Sequence, residues 1–172
     1  MLSLTFVLGG AASGKSSFAE ELLINSGLSP VYLATSRIWD DEIGEKVRVH
    51  KSRRGAEWLN IEAPLELDAA LRGLVAGQAV LIDCATMWLT NHVMDASDLA
   101  AAQDRLLRAL AAAPVPVIIV SNEIGQGIVP MDADTRAFRE AQGRLNIALA
   151  ARADCAVQVV AGLPNVLKGT LP

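Results

Sequence analysis

The chain has 172 residues, of which 52% are hydrophobic, and its mean hydropathy is +0.34. A chain of this length can bury a sizeable core without disulfides or metals, so we expect a single domain over 1–172. None of its apolar runs reaches the ~18 residues of a membrane span, and its net charge of −4 argues against non-specific binding to nucleic acid. The N-terminal MLSLTFVLGG lacks a basic leader, so we interpret it as a strand and not as a signal peptide.

Strand-like and helix-like segments alternate along the chain. Apolar, strand-like runs lie at 4–8, 31–34, 79–82, 116–120 and 156–160, and helical patterns lie at 15–25, 40–54, 65–76, 97–112 and 134–152. This alternation predicts βαβ units and a mostly parallel sheet. Because several strands are apolar at every position, we expect helices on both faces of the sheet. The predicted fold class is therefore α/β.

The segment after the first predicted strand has the pattern G-x-x-x-x-G-K-S of a phosphate-binding loop. Its residues are Gly9, Gly10, Ala11, Ala12, Ser13, Gly14, Lys15 and Ser16. Glycines let backbone N–H groups surround phosphate oxygens at a helix N-terminus, where the dipole favours negative charge. In such a loop Lys15 reaches the β- and γ-phosphates and the Ser16 hydroxyl ligates Mg²⁺. The alternative is a glycine-rich turn that binds nothing, but the flanking strand and helix favour a nucleoside triphosphate site.

A basic cluster surrounds His50. Five of the fifteen cations fall within nine residues, at Lys46, Arg48, Lys51, Arg53 and Arg54. In one interpretation, His50 belongs to the inward stripe of a helix whose acidic start and basic end suit the helix dipole. In the other, the neighbouring cations disfavour the imidazolium, so a neutral His50 attacks an α-phosphate and carries a nucleotidyl group. The residues alone leave both interpretations open.

Polar residues follow the other predicted strands. In chain order they are Thr35 and Ser36 after Ala34, then Asp83, then Ser121, Asn122 and Glu123. Ligands of parallel sheets bind at such carboxyl ends. Asp83 has the position of the Walker-B acid that holds Mg²⁺, or else it caps the following element. Asn122 and Glu123 either orient a nucleophile or cap a turn. The N-K-x-D pattern of regulatory GTPases is absent from the sequence, which argues against a signalling switch.

Three other residues have structural interpretations. Cys84 and Cys155 each lie beside an apolar run, which predicts two buried thiols in a reducing compartment and not a disulfide or a metal pair. His92 has no cationic cluster around it in the sequence, so we interpret it as structural as well.

Several longer segments are more specific than the loop. They read YLATS at 32–36, VRVHKSRRGAEW at 47–58 followed by IEAP at 61–64, LIDCATMWLTN at 81–91, SNEIGQGIVP at 121–130, RLNIALAARAD at 144–154 and AGLPNVLKG at 161–169. Together with the loop GGAASGKS, they make the chain resemble the bifunctional adenosylcobinamide kinase/adenosylcobinamide-phosphate guanylyltransferases of cobalamin biosynthesis. The resemblance covers nearly all of the chain.

This resemblance implies a RecA-like P-loop NTPase fold with two activities. The family phosphorylates adenosylcobinamide with ATP or GTP, and then transfers GMP from GTP to adenosylcobinamide phosphate through a GMP–histidine intermediate, which gives adenosylcobinamide-GDP. The family's nucleophile corresponds to His50, which favours the catalytic interpretation of that residue. Outside the loop, the nucleotide contacts that the resemblance implies are Ala34, Thr35, Ser36, Lys51, Ser52, Arg53, Arg54, Glu62 and Asp83.

The resemblance also bears on cofactors and partners. We expect Mg²⁺ held by Ser16 and Asp83, a cytoplasmic enzyme, and a homo-oligomer such as a trimer. One position departs from the family pattern, because Lys46 stands where family members usually place an arginine, and lysine does not bind phosphate in the bidentate way of arginine. Two other functions stay compatible with the residues, namely a kinase of another small metabolite and a non-catalytic GTP-binding module.

Overall fold

The computed structural model describes residues 3–37 and 55–171. Its strands are β1 (Leu4–Gly9), β2 (Ser29–Ala34), β3 (Leu59–Glu62), β4 (Gln78–Asp83), β5 (Val117–Asn122), β6 (Cys155–Val160) and β7 (Leu163–Lys168). Its helices are α1 (Lys15–Asn25), α2 (Leu67–Arg72), α3 (Ala85–Met94), α4 (Leu99–Ala111) and α5 (Ala133–Arg152). The helix expected over 40–54 lies outside the described residues.

The described strands form one sheet in the order β3-β2-β4-β5-β1-β6-β7. Neighbouring strands are parallel except for β6 and β7, which form an antiparallel hairpin. The mostly parallel sheet predicted from the alternating segments is therefore confirmed. Because β1 to β6 run in the same direction, the loop after β1 and the ends of β2, β3, β4 and β5 lie at one edge of the sheet.

Helices cover both faces of the sheet, as predicted, and divide the core into two clusters. α1 packs on one face through Ala19 and Leu23, together with strand residues such as Val7. The helices α2, α3, α4 and α5 pack on the opposite face, with strand residues such as Phe6 and Ile82. Adjacent residues of one strand, such as Phe6 and Val7, enter different clusters. This double burial explains why the central strands are apolar at every position.

Three elements lie outside the predicted segments. The helix α3 buries the polar residues Asn91 and His92 beside apolar ones, so its sequence shows no distinct apolar face of helical period. The strands β3 and β7 are at the two edges of the sheet and are largely exposed, which removes the apolar run that marks the central strands. The helix α2 is also shorter than the predicted segment 65–76.

Both cysteines are buried free thiols, as predicted, with Cys84 directly after β4 and Cys155 at the start of β6. Within residues 3–37 and 55–171, no helix combines the length and the apolar character that crossing a membrane requires.

Candidate nucleotide-binding site

The predicted phosphate loop joins β1 to α1. Gly14 directly precedes the helix and has a φ of +91°, a left-handed conformation that favours glycine because it has no Cβ. The Phe18 N–H donates to the Gly14 carbonyl at 2.9 Å, which starts the helical bonding. The Lys15 ammonium folds back and donates to the Gly10 carbonyl at 3.0 Å. The first N–H groups of α1 have no acceptors within the helix, so the loop combines unsatisfied donors with a cation and suits an anion.

Neighbouring segments hold the loop in this shape. A Cβ added at Gly9 would lie 2.3 Å from Ser13 Oγ and 2.8 Å from the Val159 carbonyl oxygen, so β6 leaves no room for a side chain there. In the turn between β6 and β7, the Gly162 N–H donates to the Ser13 carbonyl at 2.8 Å. The Ser13 hydroxyl is buried and makes no hydrogen bond in the described structure. A buried hydroxyl without a partner is costly, and a phosphate oxygen is an acceptor that would satisfy it.

Asp83 ends β4 at the same edge, separated from β1 by β5. Its Oδ2 accepts a hydrogen bond from the Tyr32 hydroxyl of β2 at 3.2 Å. The peptide bond between Asp83 and Cys84 is cis. The buried Thr35 hydroxyl donates to the Cys84 carbonyl and accepts from the Cys84 N–H, each at 2.7 Å. Tyr32 of β2 and Thr35 of the turn after it therefore position Asp83, the first directly and the second through the neighbouring Cys84.

Cys84 lies among these groups but has an unreactive thiol. Burial and the Asp83 carboxylate raise the pKa of Cys84 to about 12, whereas the Lys15 charge acts weakly in the opposite direction. Little of the nucleophilic thiolate therefore exists at neutral pH.

The end of β5 lies between the loop and Asp83. Asn122 pairs with Gly9 of β1, and the Glu123 N–H donates to the Gly9 carbonyl at 3.0 Å. On its other side, the Asn122 N–H donates to the Thr86 hydroxyl of α3 at 2.9 Å. The strand end is therefore bonded both to the phosphate loop and to the helix that follows Asp83.

A buried polar network from α5 supports this strand end. Gln142 Nε2 donates to Ser121 Oγ at 2.9 Å, and Ser121 Oγ donates to Asn146 Oδ1 at 2.7 Å. The Asn146 amide then donates to the Asn122 carbonyl at 3.2 Å. These connected hydrogen bonds join α5 to the end of β5.

The oxygen donors at this edge suit magnesium. Ser16, the second residue of α1, supplies a hydroxyl, and Asp83 supplies a carboxylate. Mg²⁺ binds hard oxygen ligands and is usually held by one or two protein groups together with substrate phosphates and water. The donor set therefore fits a metal that is shared with phosphates. Among the described residues, no group of three or more His, Cys, Asp or Glu side chains is placed to hold a metal ion.

Glu62 ends β3. It therefore lies at the carboxyl ends of the parallel strands, like Asp83, but on an outermost strand of the sheet. It pairs with Ala34 of β2 and, together with Arg37, lines a cleft of about 380 Å³. Arg37 binds Asp95 through both terminal nitrogens at 2.8 Å, which ties this side of the cleft to the end of α3. β3 lies four strand positions from β1, or roughly 19 Å at the usual spacing between strands. The candidate site is therefore elongated, with the phosphate loop at one end and the cleft at the other.

The structure brings several predicted site residues to this edge, namely the loop 9–16, the segment 34–36, Glu62 and Asp83. The others lie outside the described residues: His50, Lys51, Ser52, Arg53 and Arg54. The sequence analysis missed the positioning roles of Tyr32, Thr86, Gln142 and Asn146. A signal exists for the last two, because Gln142 and Asn146 are four residues apart and so share one face of α5.

His92 has the structural position expected of it. Its ring is buried in α3, contacts the edge of Trp88 at a centroid distance of 4.5 Å and bonds through Nδ1 to Ser97 Oγ at 3.1 Å. Burial and the charge of Arg105 lower the pKa of His92, so the neutral ring is favoured at neutral pH.

Two solved structures share the fold. The RadB recombinase aligns with a TM-score of 0.53 at 18% identity, over 91% of this chain and 74% of that chain. A prototypical ATPase from the type III secretion system of pathogenic bacteria aligns with a TM-score of 0.57 at 11% identity, over 96% of this chain and 57% of that chain. At these identities the likeness concerns the fold alone, and it confirms a P-loop NTPase fold.

Closer likeness comes from sequence. A family model described as cobinamide kinase / cobinamide phosphate guanyltransferase matches residues 5–167. The bifunctional adenosylcobalamin biosynthesis protein CobP of Pseudomonas aeruginosa is 43% identical over 166 residues, which cover 95% of this chain and 96% of that protein. The bifunctional adenosylcobalamin biosynthesis protein CobU of Salmonella typhimurium is 37% identical over an alignment of 181 positions, gaps included. That alignment covers 96% of this chain and 99% of the Salmonella protein. Because these matches extend from β1 to β7 and so include the phosphate loop, Asp83 and the segment of His50, the chain belongs to the cobinamide kinase / cobinamide phosphate guanyltransferase family.

Proposed function

We propose that this chain phosphorylates adenosylcobinamide, with ATP or GTP as donor, and then transfers GMP from GTP to the adenosylcobinamide phosphate. The product of the second step is adenosylcobinamide-GDP, an intermediate of cobalamin biosynthesis. Family membership supports the proposal, and one structural observation carries it. The loop 9–16, which carries Lys15, lies at the same edge of the sheet as Asp83, because Gly9 pairs with Asn122 of β5 and β5 also pairs with the strand that Asp83 ends. Both steps need a triphosphate held at this edge.

In the kinase step, the acceptor hydroxyl oxygen attacks the γ-phosphorus and releases its proton to solvent water. The bond from that phosphorus to the bridging oxygen breaks, and the nucleoside diphosphate leaves. Positioning and charge neutralisation dominate catalysis of such transfers. Lys15 and the N–H groups at the start of α1 bind the phosphate oxygens. Ser16 and Asp83 are the residues that would hold Mg²⁺, which neutralises phosphate charge when bound.

In the guanylyl step, a nitrogen of His50 attacks the α-phosphorus of GTP. The bond from that phosphorus to the α–β bridging oxygen breaks, and pyrophosphate leaves. An oxygen of adenosylcobinamide phosphate then attacks the same phosphorus, the P–N bond breaks, and the histidine is restored. The cations Lys51, Arg53 and Arg54 neutralise the charge that develops on the phosphate oxygens.

We also propose further nucleotide contacts from Ser52 and, at the other end of the site, from the residues at the ends of β2 and β3. The position of Ala34 and Ser36 at the carboxyl edge supports their inclusion, as does that of Glu62 in the cleft. Thr35 differs from these, because its hydroxyl binds Cys84 and its carbonyl accepts from Asn91 at 2.7 Å. Its contact with a nucleotide stays a prediction.

A covalent-labelling experiment tests the guanylyl step. Incubation with GTP labelled at the α-phosphate should label the wild-type protein on a denaturing gel, and mass spectrometry should map one GMP to His50. His50→Ala should stay unlabelled but still phosphorylate adenosylcobinamide, because only the second step needs a covalent carrier. The chain has two histidines, so His92→Gln is the matched control and should keep the label. Equal labelling of wild type and His50→Ala would remove His50 from the mechanism.

A second variant tests the shared phosphate site. Lys15→Ala should impair both reactions, because both use the triphosphate bound at the loop. An unchanged kinase rate in this variant would contradict a single site. Phosphorylation of a different small metabolite without any GMP adduct in the wild type would instead identify a kinase alone, and GTP binding without turnover would identify a binding module.

We further propose that the chain is a single domain and works in the cytoplasm as a homo-oligomer such as a trimer. All described strands belong to one sheet, which supports the single domain. Exposed apolar side chains support the oligomer, because Ile128 and Met131 are 95% and 96% exposed and Leu163 is 72% exposed. Size-exclusion chromatography with light scattering measures the mass, and a mass of 18.2 kDa in solution would contradict the oligomer.

A further inference from the structure

The hydroxyl of Tyr32 lies against the carboxylate that ends β4. It donates to Asp83 Oδ2 at 3.2 Å, and the residue is only 7% exposed. The ring meets Trp58 edge to face, with centroids 6.4 Å apart and an interplanar angle of 74°. Tyr32 is the only tyrosine in the chain, so a signal from tyrosine reports on this one site.

Strand register explains how the ring reaches the acid. Tyr32 of β2 pairs with Leu81 of β4, and both belong to the core cluster beneath α1. Asp83 is two residues beyond Leu81, so its side chain lies on the same face of the sheet. The tyrosine ring therefore runs along that face toward the carboxyl edge and ends at Asp83. Phenylalanine would fill the same apolar space but would lack the hydroxyl that donates to Asp83.

We propose that Tyr32 is a positioning residue that orients the Asp83 carboxylate toward the metal of a nucleotide held by the loop 9–16. The inference rests on the proposed role of Asp83 as a metal-side acid. A donor on Oδ2 restricts rotation of the carboxylate and leaves its other oxygen for the metal or a metal-bound water. Partners that orient metal ligands in this way typically change metal affinity by about 10- to 100-fold.

The first test compares GTP affinity with and without Mg²⁺ by calorimetry, for the wild type and Tyr32→Phe. In the wild type, Mg²⁺ should raise the affinity for GTP. In Tyr32→Phe this increase should be about tenfold smaller, whereas the affinity for GTP in EDTA should equal that of the wild type. Trp58→Phe alters a ring contact of Tyr32 but keeps the hydroxyl, so it should keep the full gain. A full gain in Tyr32→Phe overturns the proposal, and so does a lowered affinity in EDTA, which would mean general damage to the site.

The second test does not depend on whether Tyr32→Phe folds. In wild-type protein carrying ¹³Cζ-labelled tyrosine, the single tyrosine resonance should shift when Mg²⁺ is added to the GTP complex, because the bond to Asp83 changes as the metal binds. In Asp83→Asn this shift should disappear. A resonance that Mg²⁺ leaves unmoved in the wild type overturns the role of Tyr32. If Asp83→Asn retains the entire Mg²⁺-dependent gain in GTP affinity, the proposed metal role of Asp83 itself is wrong.

Discussion

Gly9 leaves no room for a side chain in the phosphate loop, because a Cβ there would lie 2.8 Å from a backbone oxygen of β6. We predict that Gly9→Ala lowers the free energy of unfolding by about 1–3 kcal/mol, as forced overpacking does. Gly10→Ala is the matched control, since a Cβ at Gly10 would meet no atom of the described residues within 4 Å. Thermal unfolding should show a lower midpoint for Gly9→Ala alone. Equal midpoints for the two variants would show that β6 yields to the added methyl group.

His92 should make stability depend on pH. Burial and Arg105 lower its pKa below the ordinary value of 6.5, against the smaller opposing effects of Glu66 and Asp95. The unfolded chain therefore binds more protons than the folded chain as the pH falls. The neutral His92 ring therefore makes its full contribution to the free energy of unfolding above about pH 6.5. Below that pH the free energy of unfolding falls, by at most about 1.4 kcal/mol per pH unit.

Urea unfolding at a series of pH values from neutral to mildly acid checks this effect of His92. The wild type should lose stability more steeply below pH 6.5 than His92→Gln, which has no proton to gain. Parallel pH profiles for the two proteins would show that His92 does not cause the loss of stability below pH 6.5.

At the scale of elements, α5 both supports the end of β5 and holds the loop that follows it. Arg139 donates to the carbonyls of Ile128 and Gly125, and Arg136 donates to those of Pro130 and Met131. The loop therefore keeps a defined path although its apolar side chains are exposed. Order in this segment comes from the helix behind it and not from a core of its own.

We predict that Arg139→Ala makes this loop easier to cleave. The variant loses two hydrogen bonds, each worth about 0.5–1.5 kcal/mol. The loop should therefore open more often, and the rate of cleavage within 123–131 should rise by about tenfold. Limited proteolysis followed by mass spectrometry measures the rate and the cleavage site. Arg144→Ala is the control, because Arg144 is on the same helix and, among residues 3–37 and 55–171, its recorded ion pair is an exposed one with Glu140. If Arg139→Ala is cleaved at the rate of Arg144→Ala, the bonds from Arg139 do not order the loop.

For the whole molecule, we predict that Mg²⁺ and GTP together raise the unfolding temperature. A ligand at a hundred times its Kd adds about 2.7 kcal/mol to the free energy of unfolding, which corresponds to roughly 5–11 °C for a chain of this size. Differential scanning calorimetry measures the shift, and Lys15→Ala should lose most of it because its contact with the phosphates is gone. A shift of the same size in Lys15→Ala would mean that GTP binds elsewhere.

Local patterns in the sequence were enough to predict the phosphate loop, the position of Asp83 and the mostly parallel sheet. The loop depends on eight consecutive residues, and the buried strands depend on short apolar runs, so neither requires knowledge of distant partners. The edge strands β3 and β7 escaped prediction because exposure removes the apolar signal, and α3 escaped because it buries polar side chains.

The tertiary structure alone decided which residues hold the site in shape. Tyr32 and Asp83 are 51 residues apart, Thr35 and Cys84 are 49 apart, and Ser121 and Asn146 are 25 apart. Hydrogen bonds between such distant residues follow from strand order and register, which no local pattern contains. The sequence by itself therefore determined that this protein carries a phosphate loop on an α/β sheet. Folding determined that Asp83, the proposed metal-side acid, is held by a tyrosine and a threonine from a neighbouring strand and its turn.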